Sequence, residues 1–261
     1  MTKKIQEKHV NSNLCSRIIK YPELGSTNNL ARKLIEEKAQ LGFAIVAETQ
    51  TAGYGQRGRY WESPLGGLWS SLGIKPNMEP HLLGIVPILS AVGIVKAIEK
   101  YNVKTTLKWP NDILIRNTFK KLGGVLVEGK VTQSSLNYLI IGIGLNINNK
   151  LEQYSRPLRS EIATLYEELN TEIDLDNLLK EIIRHIEESF EKLRSNGVQA
   201  ILEAWKHNDN ILGKEIVVQD SNKEYYGKAV DISPYGQLVL ETSELNRIKI
   251  SNGRIIRFKK S

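Results

Sequence analysis

The spacing of apolar residues along the first 212 residues predicts strands that alternate with helices. A helix is predicted to begin at Ser26, where the side chain of Ser26 or Thr27 can cap the first turn. Further helices are predicted at 81–101, 175–193 and 201–206, and strands at 43–47, 68–74, 105–108, 113–115, 122–128 and 138–144. This order predicts an α+β domain, in which helices back a mixed β-sheet.

The pattern changes after Gly213, where short strands follow one another without helices. Strands are predicted at 215–219, 225–232, 238–241, 247–250 and 255–258, separated by turn-forming residues. Five strands in so short a segment indicate a small all-β barrel. The chain is therefore divided into a larger domain at 1–212 and a small β-domain at 213–261.

Composition excludes several classes of protein. With 41% hydrophobic and 25% charged residues, the 261-residue chain is an ordinary globular protein rather than a disordered one. Its one cysteine, Cys15, excludes an intrachain disulfide, and its 4 histidines lack the spacing of metal ligands, so no metal site is predicted. No export signal precedes the first helix, and the uncharged run at 80–95 is short for a membrane span and contains Pro87.

Positive charge is concentrated in the first part of the chain. The net charge is +7, and residues 1–150 carry 20 Lys and Arg against 10 Asp and Glu. Such a surface can attract a polyphosphate, an acidic protein or nucleic acid, although a lysine-rich surface that serves solubility alone has the same composition.

The densest group of unusual residues is the glycine-arginine loop, residues 51–61, which directly follows a predicted strand. It contains Gly53, Gly55 and Gly58 together with Arg57 and Arg59. Glycine lets backbone N–H groups approach an anion closely, and arginine adds charge-assisted hydrogen bonds. Neither a Gly-Lys-Ser/Thr string nor a helical pattern follows, which excludes a P-loop and a dinucleotide fingerprint. By spacing alone, a mobile surface hairpin is the commoner explanation.

Three further motifs place polar residues at strand ends. In Lys108-Trp-Pro-Asn-Asp112, Lys108 and Asp112 flank a sharp bend. Lys121 precedes two glycines at the start of a buried strand, where its ammonium could bind a carboxylate or a phosphate. Glycines within the apolar strand at 138–144 mark a bulge or a close ligand, and Asn146 offers both a donor and an acceptor. A plain turn and a solvated hairpin lysine are the commoner explanations for the first two motifs.

Taken together and in this order, the motifs resemble those of the biotin protein ligases, from about residue 20 to residue 261. The string at 108–112 is specific to that family. The resemblance implies a class II synthetase-like catalytic domain, shared with lipoate ligases, and a C-terminal SH3-like β-barrel. It also implies the reaction: biotin and ATP, with Mg²⁺, give biotinyl-5'-AMP, and biotin then passes to one lysine of a biotin carboxyl carrier protein.

The resemblance also implies roles for individual residues. Lys121 would hold the biotin carboxylate and the α-phosphate oxygens, and Asp112 would orient or deprotonate the incoming amine. The implied biotin contacts are Ser26, Thr27, Asn28, Gln50, Gly53, Tyr54, Gly55, Gln56, Lys121 and Gly124; the ATP contacts are Arg57, Trp61, Lys108, Asn111 and Asn146; the catalytic residues are Lys121, Asp112 and Arg57.

The chain departs from the family pattern at two places. Where the family has Gly-Arg-Gly-Arg, this loop reads Gly53-Tyr-Gly-Gln, so two arginines that would help retain the adenylate are missing. The link from Asp112 to Lys121 is about two residues longer than in the family pattern, so the neighbouring Lys120 is the competing assignment for the catalytic lysine.

Expected partners follow from the same comparison. Only 25 residues precede the Ser26-Thr-Asn motif, too few for a helix-turn-helix domain, so no DNA partner is expected. A cytoplasmic homodimer without membrane contact is expected. Two rival functions share some of these features: a nucleic-acid-binding module, supported by the basic charge, and a ligase or transferase for lipoate or octanoate on the same fold.

Overall fold

The structure is a computed structural model that describes residues 4–132, 135–221 and 223–258. Its strands are β1 (Gln6–His9), β2 (Arg17–Leu24), β3 (Phe43–Gln50), β4 (Leu68–Ile74), β5 (Thr105–Lys108), β6 (Asp112–Ile115), β7 (Lys121–Thr132), β8 (Ser135–Leu145), β9 (Glu215–Asp220), β10 (Lys223–Ile232), β11 (Leu238–Glu241), β12 (Arg247–Ile250) and β13 (Arg254–Phe258). Its helices are α1 (Thr27–Glu36), α2 (Val86–Glu99), α3 (Arg156–Arg159), α4 (Leu165–Leu169) and α5 (Leu175–Asn208), with 3₁₀ turns at Gln56–Gly58, Pro80–Ile85 and Leu151–Gln153.

Eight strands form one mixed sheet in the order β1-β2-β3-β4-β8-β7-β6-β5. The β2–β3 pair is parallel and the other described pairs are antiparallel, which confirms the predicted α+β class. The sequence pattern predicts neither β1 nor β2. Lys20, Pro22 and Glu23 interrupt the apolar alternation of β2, which lies next to the edge strand and therefore needs less apolar surface.

The helices cover opposite faces of this sheet. Along β3, Phe43 and Ile45 pack with Ala31 of α1, whereas Ala44 between them belongs to the larger core built on α2 and α5. Successive strand residues face opposite sides, so this alternation places α1 on one face and the α2–α5 pair on the other. The cleft described below lies at the first of these faces, beside the N-terminus of α1.

Helix α2 begins later than its apolar pattern predicts. Residues Pro80–Ile85 form a 3₁₀ turn, and Pro87 lies in the first turn of the α-helix, where its missing N–H is tolerated. The whole segment Pro80–Glu99 has 20 residues, enough in length and apolar composition to cross a membrane. In this fold 67% of its most apolar window is buried, because α2 packs against α5 inside the core.

The predicted helices at 175–193 and 201–206 lie within α5, which spans 34 residues. Gly197, with φ 76° and ψ 177°, interrupts the helical backbone between them. A positive φ is disfavoured for residues with a side chain, and glycine allows the break.

The C-terminal strands form a separate antiparallel sheet in the order β12-β11-β10-β9-β13, which confirms the predicted small β-domain. Several contacts tie it to the larger unit. Trp109 Nε1 donates to the carbonyl oxygen of Gly236 at 2.9 Å, and a Cβ on Gly236 would lie 2.1 Å from the carbonyl oxygen of Gly84. The boundary at 212 stays a prediction; α5 ends at Asn208 and β9 begins at Glu215.

Candidate active site

A cleft of about 550 Å³ opens beside the N-terminus of α1 and the cleft-facing side of β7 and β8. The glycine-arginine loop forms another part of its wall, and the C-terminal unit contributes Gly253, Arg254 and Ile255. Fourteen predicted site residues line it: Ser26, Thr27, Asn28, Gln50, Tyr54, Gly55, Gln56, Trp61, Lys108, Asn111, Asp112, Lys121, Gly124 and Asn146. The fold therefore brings together, at one cleft, motifs that lie up to 120 residues apart in the chain.

A carboxylate between two lysines forms the charged centre of the cleft. Lys121 Nζ lies 2.5 Å from Asp112 Oδ1, and Lys108 Nζ lies 3.5 Å from Asp112 Oδ2. The Asp112 side chain is 17% exposed. Burial by itself raises the pKa of Asp112, but the ammonium groups of Lys121 and Lys108 outweigh burial and hold the pKa below its usual value. Asp112 is therefore ionised at neutral pH.

Local strand pairing explains why these three side chains meet. Lys108 and Asp112 are partners across the β5–β6 hairpin, and Asp112 is opposite Gly124 on β7. A register shift between Ile113 and Leu114 brings Lys121, at the start of β7, alongside. A Cβ on Gly124 would lie 3.6 Å from Lys121 Cε and 3.7 Å from Asp112 Oδ1, so the glycine leaves space beside the pair.

Trp61, from the end of the glycine-arginine loop, packs over the same region. Lys121 Nζ lies 5.0 Å from the centre of its ring, in the range of a cation–π contact. A Cβ on Gly144 of β8 would come within 2.9 Å of Trp61 Nε1, so glycine is required for this packing. Trp61 Nε1 is buried and has no hydrogen-bond partner among the described residues. An unpaired buried donor on a cleft wall is a candidate contact for a ligand.

The N-terminus of α1 carries a second polar group of the cleft. Ser26 is the N-cap residue, but its hydroxyl makes no capping bond. Thr27, the other predicted cap, is the first residue of the helix itself. The backbone N–H of Thr27 instead donates to Gln50 Oε1 at 2.8 Å. The Ser26 hydroxyl makes no capping bond and lines the cleft, so it is available to a ligand.

Asn28 is fixed next to these residues against the sheet. Ser71 Oγ lies 2.5 Å from Asn28 Oδ1, and a Cβ on Gly142 would come within 2.4 Å of the same oxygen. Gly142 and Gly144 thus admit Asn28 and Trp61 respectively, two residues apart on one face of β8, or about 7 Å along the strand. The polar pocket at α1 therefore adjoins the Lys121 centre.

Three predicted residues have other environments in the structure. Arg57, with φ 60°, forms an ion pair with Asp220 of β9 and is not among the described residues that line the cleft; Arg59 is. Gly53 lies behind the wall, where a Cβ would be 2.6 Å from the Trp61 carbonyl oxygen. Asn146 lines the cleft, but its Nδ2 donates to Ala163 O at 3.1 Å and its Oδ1 accepts from a tyrosine hydroxyl. The ligand roles of these three residues, like those of the other predicted site residues, stay predictions.

Several residues that line the cleft are not among the predicted site residues: Arg59, Tyr60, Ser70, Phe119, Tyr154 and Arg254. Arg59 was visible in the loop, whereas nothing in the sequence indicates that Arg254 of the C-terminal unit reaches the cleft. Ser70 Oγ, like Trp61 Nε1, is a buried polar atom without a partner among the described residues.

No metal cluster is found in the part of the chain that the structure describes, by the criterion of three or more neighbouring His, Cys, Asp or Glu side chains.

Two segments of the chain match known protein families. Residues 22–146 match the Biotin/lipoate A/B protein ligase family, and residues 211–257 match the Biotin protein ligase C terminal domain. Every predicted site residue lies within the first segment, and the five strands of the C-terminal sheet lie almost entirely within the second.

Similar proteins extend over most of the chain. The Bifunctional ligase/repressor BirA of Bacillus subtilis is 32% identical over 229 residues, which cover 87% of this chain and 70% of that protein. The Biotin--[acetyl-CoA-carboxylase] ligase of Paracoccus denitrificans is 24% identical and covers 82% of this chain and 90% of its own length. Among solved structures, the biotin protein ligase from Aquifex aeolicus in complex with biotin and ATP has a TM-score of 0.78 and 28% identity, over 94% of this chain and 99% of that one.

Proposed function

This chain belongs to the biotin/lipoate A/B protein ligase family, among its biotin protein ligases, and we propose that its cleft joins biotin to ATP and then transfers biotin to a carrier lysine. One observation carries the assignment of this chemistry to the cleft. Lys121, paired with Asp112 and packed on Trp61, lies next to the polar pocket at the N-terminus of α1. A cation adjoining a pocket for an uncharged polar ring suits a substrate with a ureido ring at one end and a carboxylate at the other.

In the first half-reaction, a biotin carboxylate oxygen attacks the α-phosphorus of ATP, and the bond from that phosphorus to the β-phosphate bridging oxygen breaks. Negative charge grows on the α-phosphate oxygens, and the Lys121 ammonium stabilises it. To do so Lys121 turns from Asp112 towards the substrate, which the flexible lysine side chain permits. The unpaired Trp61 Nε1 is available to the nucleotide.

In the second half-reaction, a carrier lysine amine attacks the carbonyl carbon of the adenylate, AMP leaves and the amine loses a proton. Asp112 faces this amine. With both lysines beside it, its lowered pKa makes it a weak proton acceptor, so attraction and orientation of the amine come first. Once Lys121 has turned to the phosphate, only Lys108 remains beside Asp112, and the carboxylate becomes a better base.

Magnesium is proposed to enter with ATP. Mg²⁺ is commonly held by substrate phosphates, water and one or two carboxylates rather than by a protein cage. The acidic side chains on the cleft, Glu62, Asp112 and Glu161, can supply such a carboxylate. When bound to the nucleotide, Mg²⁺ neutralises phosphate charge and polarises the phosphoryl oxygens.

The reaction is tested by ATP–pyrophosphate exchange with biotin and lipoate side by side. We expect exchange that depends on biotin, and labelling of a single lysine on a biotin carrier domain. Exchange with lipoate alone would instead favour the lipoate ligases of the same fold. Absence of exchange with both substrates would favour a binding protein and remove the proposal.

A second prediction concerns Gln56, which lines the cleft where the family pattern has arginine. A guanidinium on the adenylate phosphate is worth about 1.5–3 kcal/mol as a charge-assisted hydrogen bond. We therefore expect Gln56→Arg to slow the escape of biotinyl-5'-AMP by roughly 10-fold or more, and to reduce stray labelling of bystander proteins. Release is measured by rapid dilution of the preformed enzyme–adenylate complex.

Thr51→Arg is the matched control, because Thr51 is exposed in the same loop and is not among the described residues that line the cleft. An unchanged or faster release from the Gln56 variant, or equal slowing in both variants, would show that the loop retains the intermediate by another route.

The carrier protein as partner, the homodimer, the cytoplasmic location and the absence of a DNA partner rest on the family resemblance and on sequence arguments. They remain predictions.

A further inference from the structure

A polar cluster beside the cleft joins β7, α1 and the glycine-arginine loop. Glu128 Oε1 accepts from Arg32 Nη2 at 2.6 Å, and Glu128 Oε2 accepts from Asn28 Nδ2 at 2.6 Å. The Tyr54 hydroxyl lies 3.1 Å from Glu128 Oε2. Glu128 is not among the described residues that line the cleft, and no catalytic step described above uses it.

The strand alternation of β7 explains this position. Gly124 and Leu126 line the cleft, and Glu128, two residues further on, lies on the same face. Its charge is balanced by Arg32, and the two side chains are 28% and 32% exposed. Both carboxylate oxygens are therefore engaged, and the pair is shielded enough for its geometry to be defined.

Glu128 determines which way the Asn28 amide points. An ionised carboxylate only accepts hydrogen bonds, so it selects the Asn28 NH₂ group. Asn28 Oδ1 is consequently turned towards Ser71 and towards the space that Gly142 leaves open. With the opposite orientation, two oxygens would face each other at Glu128. The carboxylate thus presets one acceptor of the pocket at α1.

Glu128 also holds the loop through Tyr54. The single proton of the Tyr54 hydroxyl can be donated to Glu128 Oε2 at 3.1 Å or to Asn29 Oδ1 at 3.0 Å, and the hydroxyl oxygen accepts a hydrogen bond from Arg32 Nη2 at 3.3 Å. Burial raises the pKa of Tyr54, which keeps the hydroxyl protonated at neutral pH.

Tyr54 is in turn part of the loop's internal hairpin. Tyr54 and Tyr60 form an isolated antiparallel bridge, and the Gly55 N–H donates to the Arg59 carbonyl oxygen at 2.8 Å. An anchor at Tyr54 therefore restrains the residues that cover the cleft. The anchor uses a phenol at a position where the family pattern has arginine.

We propose that Glu128 is a positioning residue for biotin binding: through Tyr54 it holds the glycine-arginine loop over the cleft before any ligand is bound, and through Asn28 it orients the pocket beneath. The inference rests on the proposed function for its biotin part. Its loop part concerns the protein without substrates.

The experiment compares Tyr54→Phe, Glu128→Gln and the double variant with the wild-type protein. Loop opening is measured without ligand as the rate of tryptic cleavage after Arg57 and Arg59, with fragments identified by mass. Biotin KM and kcat are then measured by pyrophosphate exchange. The matched controls are Tyr235→Phe, an exposed tyrosine that is not among the described residues that line the cleft, and Glu48→Gln, an exposed glutamate on β3.

Each single variant should raise loop cleavage about 5- to 30-fold, the effect of losing one or two hydrogen bonds. Biotin KM should rise by a similar factor while kcat changes little, a split that general destabilisation would not produce. Both substitutions break the same contact, between Tyr54 and Glu128. The double variant should therefore raise the rate of loop cleavage no more than Glu128→Gln alone does. The controls should match the wild type.

Wild-type cleavage rates in both single variants, additive effects in the double variant, or open loops with an unchanged biotin KM would each overturn the proposal. Tyr54→Phe removes only a hydroxyl, so it reports on the loop even if Glu128→Gln does not fold. If the wild-type protein shows no biotin-dependent exchange, the proposed function is refuted. The cleavage rates would still show whether Glu128 and Tyr54 anchor the loop.

Discussion

Replacing Lys121 by alanine will slow adenylate formation by at least about 100-fold, a typical loss for one transition-state stabiliser, whereas Lys120→Ala will slow it far less. Lys121 Nζ, 2.5 Å from Asp112 and over the Trp61 ring, lies where negative charge develops in the proposed reaction. Lys120 belongs to the hairpin before β7, and its backbone carbonyl oxygen accepts from Ile115 N. The measurement is the rate of ATP–pyrophosphate exchange at saturating biotin.

Two further measurements make this result specific. Lys121→Arg keeps the charge and should recover part of the exchange rate, and thermal unfolding should show that the alanine variants remain folded. If Lys120→Ala slows exchange more than Lys121→Ala does, Lys120 is the catalytic lysine of the longer hairpin, and the assignment of Lys121 is wrong.

Asp112→Asn will affect the two half-reactions unequally. Transfer of biotin from preformed adenylate to a carrier domain should fall by about 100-fold, within the range of general acid–base effects. Pyrophosphate exchange should fall by less, because Lys121 leaves Asp112 when it binds the substrate. Some loss of exchange is expected, since the variant leaves Lys108 and Lys121 facing each other without a carboxylate.

The chain contains a matched control for that loss of charge. Asp176 also lies between two lysines: Lys8 Nζ is 2.8 Å from its Oδ2, and Lys20 pairs with its Oδ1. Asp176 is not among the described residues that line the cleft, so Asp176→Asn should leave both half-reactions unchanged. Equal losses of exchange and transfer in Asp112→Asn would refute the role of Asp112 in the second step.

The sequence by itself determined the fold class, and its motifs predicted fourteen of the residues that line the cleft. Apolar spacing identified most strands of the mixed sheet and all five strands of the C-terminal sheet, because buried strands need continuous or alternating apolar residues. The motifs predicted the site through their combined resemblance, in this order, to those of the biotin protein ligases, because by spacing alone a surface hairpin and plain turns are the commoner explanations. The strand β2 was missed because Pro22 and its charged neighbours mask its pattern.

Only the tertiary structure decided what each polar side chain contacts. Hydrogen bonds and ion pairs depend on distances of a few ångströms, which strand register and the packing of separate segments set. Thus Arg57 pairs with Asp220 of the second sheet, and Arg254 of that sheet reaches the cleft. The two-residue alternation of β7 predicts that Glu128 lies on the same face of the strand as Gly124. Its contact with Tyr54 forms only when the loop that carries Tyr54, 74 residues earlier in the chain, packs against β7. The local sequence around either residue does not predict such a contact, which forms only in the assembled sheet.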